Sequence, residues 1–242
     1  VADKFDLHAA NFALEADGVE AATPDWHWFK AYLGVTHATT PEVTEDLRQK
    51  ASGEVDVVLY VGHGASSIWG SVGENILNVP LAAQWTGNVV LLQATCTGNY
   101  FVRNLPGYFT IVQNLMIQPQ GGIAASIATT TYMDSPHAVE FMQDVLSDAR
   151  HAHARWGDSL LYAQQYAAQR ATALGAASPA GLNWSDLART ESLMGDPALR
   201  VYGPQGVADD GGRDPNAAPI LLSAPFATPN PVRLQIYEAD RE

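Results

Sequence analysis

Two side chains in this sequence end apolar runs in a way that suits nucleophilic catalysis. Cys96, the single cysteine of the chain, follows Asn88-Val89-Val90-Leu91-Leu92-Gln93-Ala94-Thr95, and His63 follows Val55-Asp56-Val57-Val58-Leu59-Tyr60-Val61-Gly62. A thiolate is the attacking form of cysteine, and a neighbouring imidazole can take the thiol proton. The same imidazole can then protonate a departing amine as general acid. A lone cysteine is more often a small buried hydrophobe, so its presence alone decides little. Its place at a strand's end, followed by Thr97-Gly98, is what favours chemistry. Gly64, next to His63, has no Cβ, so its backbone N–H can approach a substrate carbonyl closely.

The elements that must position this pair are legible as runs and caps. Short apolar stretches rich in Val and Leu read as strands buried on both faces of a parallel sheet, and chemistry in such sheets collects at the strands' carboxyl ends. Thr40-Pro41 reads as a helix start, with Glu42 and Glu45 at its positive end. Arg48 and Lys50 fall in its last turn and Gly53 stops it. A helix before the His63 strand gives the βαβ order of a parallel sheet. Further strands are expected over Asp25–Leu33, Gly121–Thr129 and Ala198–Tyr202. Helices are expected over Asn78–Trp85, Tyr108–Met116, Ser135–Ala149 and Trp156–Leu174, the last closed by Gly175. The polar segment Val1–Gly18 reads as a strand end, Val1-Ala2-Asp3, followed by loop.

Composition narrows the function classes. The 242 residues are 47% hydrophobic and 16% charged, the profile of a globular chain long enough for one large core or for a core plus a small second unit. A formal charge of −13 repels phosphates and argues against nucleic acid and anionic membrane surfaces. No apolar run reaches the roughly 18 residues a membrane span requires. From Gly203 to Pro219 the sequence turns to Gly, Pro, Asp and Asn, a linker composition. Residues 220–242 then read as a β arm or the start of a β domain, with strands at Ile220–Ser223 and Val232–Tyr237.

In this order, the residues resemble the catalytic core of the gingipain family of cysteine peptidases. The resemblance is carried by Tyr60-Val61-Gly62-His63-Gly64-Ala65-Ser66, by Trp69, and by Ala94-Thr95-Cys96-Thr97-Gly98-Asn99-Tyr100-Phe101. Gly121-Gly122-Ile123-Ala124-Ala125 through Ser135-Pro136, and Leu193-Met194-Gly195-Asp196-Pro197-Ala198-Leu199, agree with it. It implies an α/β fold over residues 1–202, a three-layer α/β/α caspase-like sandwich with a mostly parallel sheet. It also implies that His63 and Cys96 are catalytic, with an oxyanion hole made by the N–H groups of Gly64 and Cys96. Asp3 stands at the strand end where some relatives carry an acidic residue that orients the histidine. Asp6 stands near the place of a pocket aspartate in arginine-specific relatives. Pocket walls are implied at Val61, Ala94, Thr95, Tyr132 and Met133, and Met133 departs from the large aromatic that relatives can carry there.

The resemblance further implies peptide or protein substrates and a secreted or cell-surface bacterial setting. No cofactor is needed for the chemistry, and structural calcium is expected without assigned ligands. Relatives carry another half-domain before the segment like Val1-Ala2-Asp3. The chain is therefore expected to lack the first strands of the sandwich and to pair with an N-terminal fragment of the same precursor. A transpeptidase of the same family and a catalytically inactive binding module remain as alternatives.

Other motifs fail. The sequence has no G-x-S-x-G elbow, phosphate-binding loop or C-x-x-C pair. His151 and His153 are two apart on an expected helix end and point to different faces. Asp209, Asp210 and Asp214 lie in the acidic linker and could hold calcium, though solvated charge is the ordinary reading.

Overall fold

The computed structural model describes residues 1–6, 10–70, 74–101, 109–150, 154–175 and 177–201. Within it the apolar runs become strands and the capped segments become helices. In chain order these are α1 Phe12–Ala22, α2 Thr40–Ala51, β1 Val57–Val61, β2 Gly64–Ala65, β3 Ile68–Trp69, β4 Leu77–Asn78, α3 Val79–Ala82 and β5 Asn88–Ala94. Then follow α4 Ile111–Met116, β6 Gly122–Thr129, α5 Ser135–Ala149, α6 Trp156–Leu174, α7 Pro179–Thr190 and β7 Glu191–Gly195. Residues 203–242, with the expected linker and β arm, lie outside the described residues, as do Tyr108, His151, His153 and Tyr202.

The main sheet runs β1-β5-β6-β7. β1 and β6 flank β5 in parallel, and β7 closes the edge antiparallel to β6. Beside β1 the chain's start adds a stub, with Ala2 bridging Val61 on one side and Tyr32 on the other, both in parallel. The Asp3 N–H donates to the Val61 carbonyl at 3.0 Å, and the Val61 N–H to the Val1 carbonyl at 3.0 Å. Val1-Ala2-Asp3 thus runs as a short bridged segment between β1 and Tyr32.

Strand side chains alternate between two cores, one on each face. Leu59, Val61, Val90, Leu92 and Ala94 face buried residues of α1, α5, α6 and α7. Val58, Tyr60, Val89 and Leu91 face Val43 and Leu47 of α2, Ala82 of α3 and Val112 of α4. Two helical layers around a mostly parallel sheet make the expected three-layer α/β/α arrangement. A small antiparallel sheet, β2-β3-β4, folds over the β1 end.

Four local expectations are corrected. Asp25–Leu33 is largely irregular, with a bridge only at its end. Its rings serve other partners: the Trp26 indole donates to the Leu146 carbonyl at 3.2 Å, and Trp26 and Trp28 pack on the α5 side. Among the described residues the last strand is β7, which comes earlier than Ala198, because Asp196 builds a turn by accepting the Ala198 N–H at 2.8 Å on its side chain and the Leu199 N–H at 3.1 Å on its carbonyl. Part of the presumed N-terminal loop is α1, whose first turn Asn11 caps by accepting the Leu14 N–H at 3.2 Å. The stretch after Gly175, left without an element by the sequence, holds α7, capped by Ser178 on the Gly181 N–H at 3.0 Å.

Candidate active site

Register places the two reactive side chains. Val61 and Ala94 are partners across β1 and β5, and His63 and Cys96 each lie two residues further on. Both therefore leave the sheet at the carboxyl ends of adjacent parallel strands.

The His63 backbone is held firmly. Its carbonyl accepts from the Tyr60 hydroxyl at 2.5 Å and from the Gly70 N–H at 2.8 Å. Gly62 is required just before it, because a Cβ there would lie 2.5 Å from the Asp3 Cβ and 2.6 Å from the Tyr60 hydroxyl. The imidazole meets the edge of Phe12, with ring centroids 5.0 Å apart. Its Nε2 lies 2.9 Å from Asp6 Oδ2, and both side chains are about one-third exposed.

Asp6, placed by the sequence in the substrate pocket, is thus the carboxylate on the imidazole. Asp3 lies under Gly62, fully buried, where its Oδ1 accepts the Lys4 N–H at 2.8 Å and its Oδ2 has no well-formed hydrogen bond among the described residues. Burial raises the Asp3 carboxyl pKa, while the Lys4 N–H and the nearby His63 pull it back.

Cys96 is half-buried in the turn that follows β5. Its Sγ lies 3.9 Å from the Met133 carbonyl oxygen, a weak thiol contact. Thr97 has φ +51°, the only left-handed φ outside glycine among the described residues. A β-branched residue rarely adopts that conformation, and such strain concentrates at functional turns. The turn is tied to the end of β6 and the loop beyond it: the Thr97 N–H donates to the Thr131 carbonyl at 2.7 Å, and the Asn99 N–H to the Thr129 carbonyl at 3.0 Å.

Gly64 begins β2 opposite Trp69. A Cβ on Gly64 would lie 2.5 Å from Thr95 Oγ1 and 3.0 Å from the Ile68 carbonyl. The two reactive loops therefore touch through Gly64 and Thr95. Thr95, Val61 and Ala94 are fully buried, so these pocket candidates lie behind the site rather than on its surface. Tyr132 is 82% exposed and Met133 half-buried. Both border a cavity of about 250 Å³ that α7 closes with Asn183, Asp186 and Leu187. A second cavity, near Trp26–Phe29 and Val55–Leu59, includes neither reactive residue. Among the described residues no group of three or more His, Cys, Asp or Glu side chains could hold a metal ion. None of the helices there is long and apolar enough to cross a membrane.

Sequence reasoning missed Asp6 as the partner of His63, because 57 residues separate them and the contact depends on how the chain turns after Asp3. It also missed the buried polar side chains of Gln93, Ser126 and Asn99 beside the turn that follows Cys96. The signal was present as Gln93 inside an otherwise apolar run.

A mostly parallel sheet between helical layers, with histidine and cysteine at neighbouring strand ends, is the layout of a caspase-like cysteine peptidase. Residues 2–202 match peptidase family C25, and the chain belongs to this family, the gingipains. Among solved structures, the arginine-specific cysteine proteinase gingipain R (RgpB) superposes with a TM-score of 0.61 at 17% identity, over 80% of this chain and 44% of that one. The complex of the RgpB pro- and mature domains from Porphyromonas gingivalis gives 0.61 at 15% identity, over 79% and 44%. A structure described as a protease gives 0.52 at 12% identity, over 64% and 37%. The chain thus spans less than half the length of these solved chains. No curated protein matches it in sequence.

Proposed function

We propose that this chain carries the catalytic centre of a cysteine endopeptidase. Cys96 is the nucleophile, His63 the general base and acid, and Asp6 the residue that orients His63. The observation that supports this reading is the register of β1 and β5: Val61 and Ala94 pair, and His63 and Cys96 each follow two residues later. Membership of a peptidase family supports it. So do two exposed rings, Phe5 and Tyr132, which adjoin the residues touching His63 and Cys96 and suit contact with an extended peptide.

A neutral imidazole that donates its Nε2–H to Asp6 keeps its lone pair on Nδ1. That nitrogen takes the Cys96 proton as Sγ attacks the scissile carbonyl carbon. The oxyanion that forms is met by the N–H groups of Gly64 and Cys96, donors of a kind worth about 3–4 kcal/mol each in other hydrolases. As the C–N bond breaks, the imidazolium passes its proton to the amine and a thioester remains on Cys96. Water, deprotonated by His63, then attacks the thioester and releases the carboxylic acid and the thiol. Strain at Thr97 and the hydrogen bonds of its turn hold Sγ in place for both attacks.

Substrates are peptides or proteins at the cell surface or outside the cell. A precursor fragment is a natural partner, as one structural neighbour is a complex of pro- and mature domains. The chemistry needs no cofactor, and any calcium would be structural.

The test is a peptide carrying a thiol-reactive group, followed by mass mapping. Modification of Cys96 that disappears in His63→Ala supports the reading, whereas an unlabelled Cys96 in a folded chain leaves a binding module. Adding an amine nucleophile to the turnover assay separates the alternatives within the family. Free acid as the main product means hydrolysis, and an amide product means transpeptidation.

A further inference from the structure

We propose that Trp69, Gln93, Ser126 and Asn99 form a set of positioning residues that fixes the Cys96 turn against the His63 loop. The proposal rests on the peptidase reading above. All four side chains are buried, and none is needed for the chemistry itself.

Their hydrogen bonds run in one direction. The Trp69 indole N–H donates to Gln93 Oε1 at 2.8 Å, and Gln93 Nε2 donates to Ser126 Oγ at 2.9 Å. The Ser126 hydroxyl then donates to Asn99 Oδ1 at 2.8 Å. Asn99 Nδ2 ends the chain on the carbonyls of Ser192, at 2.8 Å, and Ser126, at 3.2 Å.

The direction is forced. An indole can only donate, so Gln93 must turn its oxygen to Trp69 and its amide N–H to Ser126. The one hydroxyl hydrogen of Ser126 must then go to Asn99, whose N–H groups are left for the carbonyls. Reversing either amide leaves buried groups unpaired, at about 1–3 kcal/mol each. The network therefore has a single low-energy arrangement.

Its two ends lie on the two reactive loops. At one end Trp69 stacks on Tyr60 with centroids 4.3 Å apart, and Tyr60 holds the His63 carbonyl. At the other end Asn99 sits three residues past Cys96. Between them Gly98 lies against the Gln93 amide, where a Cβ would be 3.2 Å from both Cδ and Oε1. The nucleophile turn thus rests on a polar floor whose far side supports the histidine.

Ser126→Ala removes the central hydroxyl, and Trp69→Phe removes the first donor while keeping a ring for Tyr60 to stack on. Each variant, in the full chain and with melting checked, is expected to lower kcat roughly 10- to 100-fold while KM stays within about twofold. Because both cuts break one chain, the double variant is expected to lose no more than the worse single variant. Alkylation of Cys96 by iodoacetamide, a readout confined to the chain's single cysteine, should slow severalfold in each variant and requires no turnover. Folded variants with wild-type kcat and alkylation rate, or losses that add in the double variant, overturn the proposal. Failure of both variants to fold makes the network a stability element and also overturns it. A wild-type chain that hydrolyses no peptide sinks the peptidase reading instead, and the alkylation arm still reads the network.

Discussion

His63 and Cys96 stand the same two residues beyond Val61 and Ala94, which face each other across β1 and β5. Equal offsets on adjacent parallel strands bring two reactive groups to the same end of the sheet without help from long loops. The contacts that refine the placement are short: Tyr60 and Gly70 on the His63 carbonyl, and Thr131 on the Thr97 N–H.

The first prediction separates the two acidic candidates. Asp6 touches the His63 ring at 2.9 Å, whereas Asp3 is buried below Gly62. Asp6→Asn is expected to lower kcat/KM by roughly 10- to 100-fold with an unchanged melting temperature. Asp3→Asn replaces a carboxyl whose pKa burial already raises, and is expected to keep most of the activity. Steady-state kinetics on both variants decide it, and the reverse order of losses would return the orienting role to Asp3.

Gly64 and Thr95 should show coupling. Gly64→Ala puts a Cβ 2.5 Å from Thr95 Oγ1, which must push the reactive loops apart, and kcat/KM should fall roughly 100-fold. Thr95 Oγ1 is buried without a hydrogen-bond partner among the described residues, so Thr95→Ala alone should cost little. Combining the two relieves the nearer clash and should recover part of the lost activity. A double variant as poor as Gly64→Ala would locate the damage elsewhere.

Glu191 gives a prediction about pH. Its carboxyl is buried at the start of β7, neither oxygen has a partner among the described residues, and burial pushes its pKa well up. Such a folded state keeps a proton that the unfolded chain releases near the ordinary glutamate pKa of about 4.3. Stability therefore falls as pH rises from that value toward the folded one. Glu191→Gln cannot release the proton, so its melting temperature should exceed wild type at neutral pH and converge with it near pH 4, roughly the unperturbed value. Parallel melting curves across that range would refute the assignment.

The sheet and the reactive pair were legible because their signals are local. Val57–Val61 is a continuous apolar run and Val89–Ala94 is interrupted only by Gln93, and each is followed within two residues by its reactive side chain. Caps announced α2 and α5 in the same way. What escaped depends on tertiary contact. α1 buries Phe12, Ala13, Ala16 and Val19 behind acidic neighbours, so its apolar stripe is thin in the sequence. β7 contains no β-branched residue and begins with a buried glutamate, a combination that reads as loop until β6 pairs with it. Trp26 and Trp28 alternate like a strand, yet their indoles are drawn to Leu146 and Thr23. Asp6 could be singled out as acidic, but its place on His63 follows from packing alone.

The central claim is that Cys96 is the nucleophile, and Cys96→Ala tests it most directly. The change removes one sulfur from a half-buried position, where Sγ makes only a weak 3.9 Å approach to the Met133 carbonyl as a hydrogen bond among the described residues, so the melting temperature should barely move. Peptide hydrolysis by the purified variant should fall to the uncatalysed rate on any peptide that the wild type cleaves. Residual enzymatic turnover by a folded Cys96→Ala chain would mean that another group attacks the substrate, and would contradict the account.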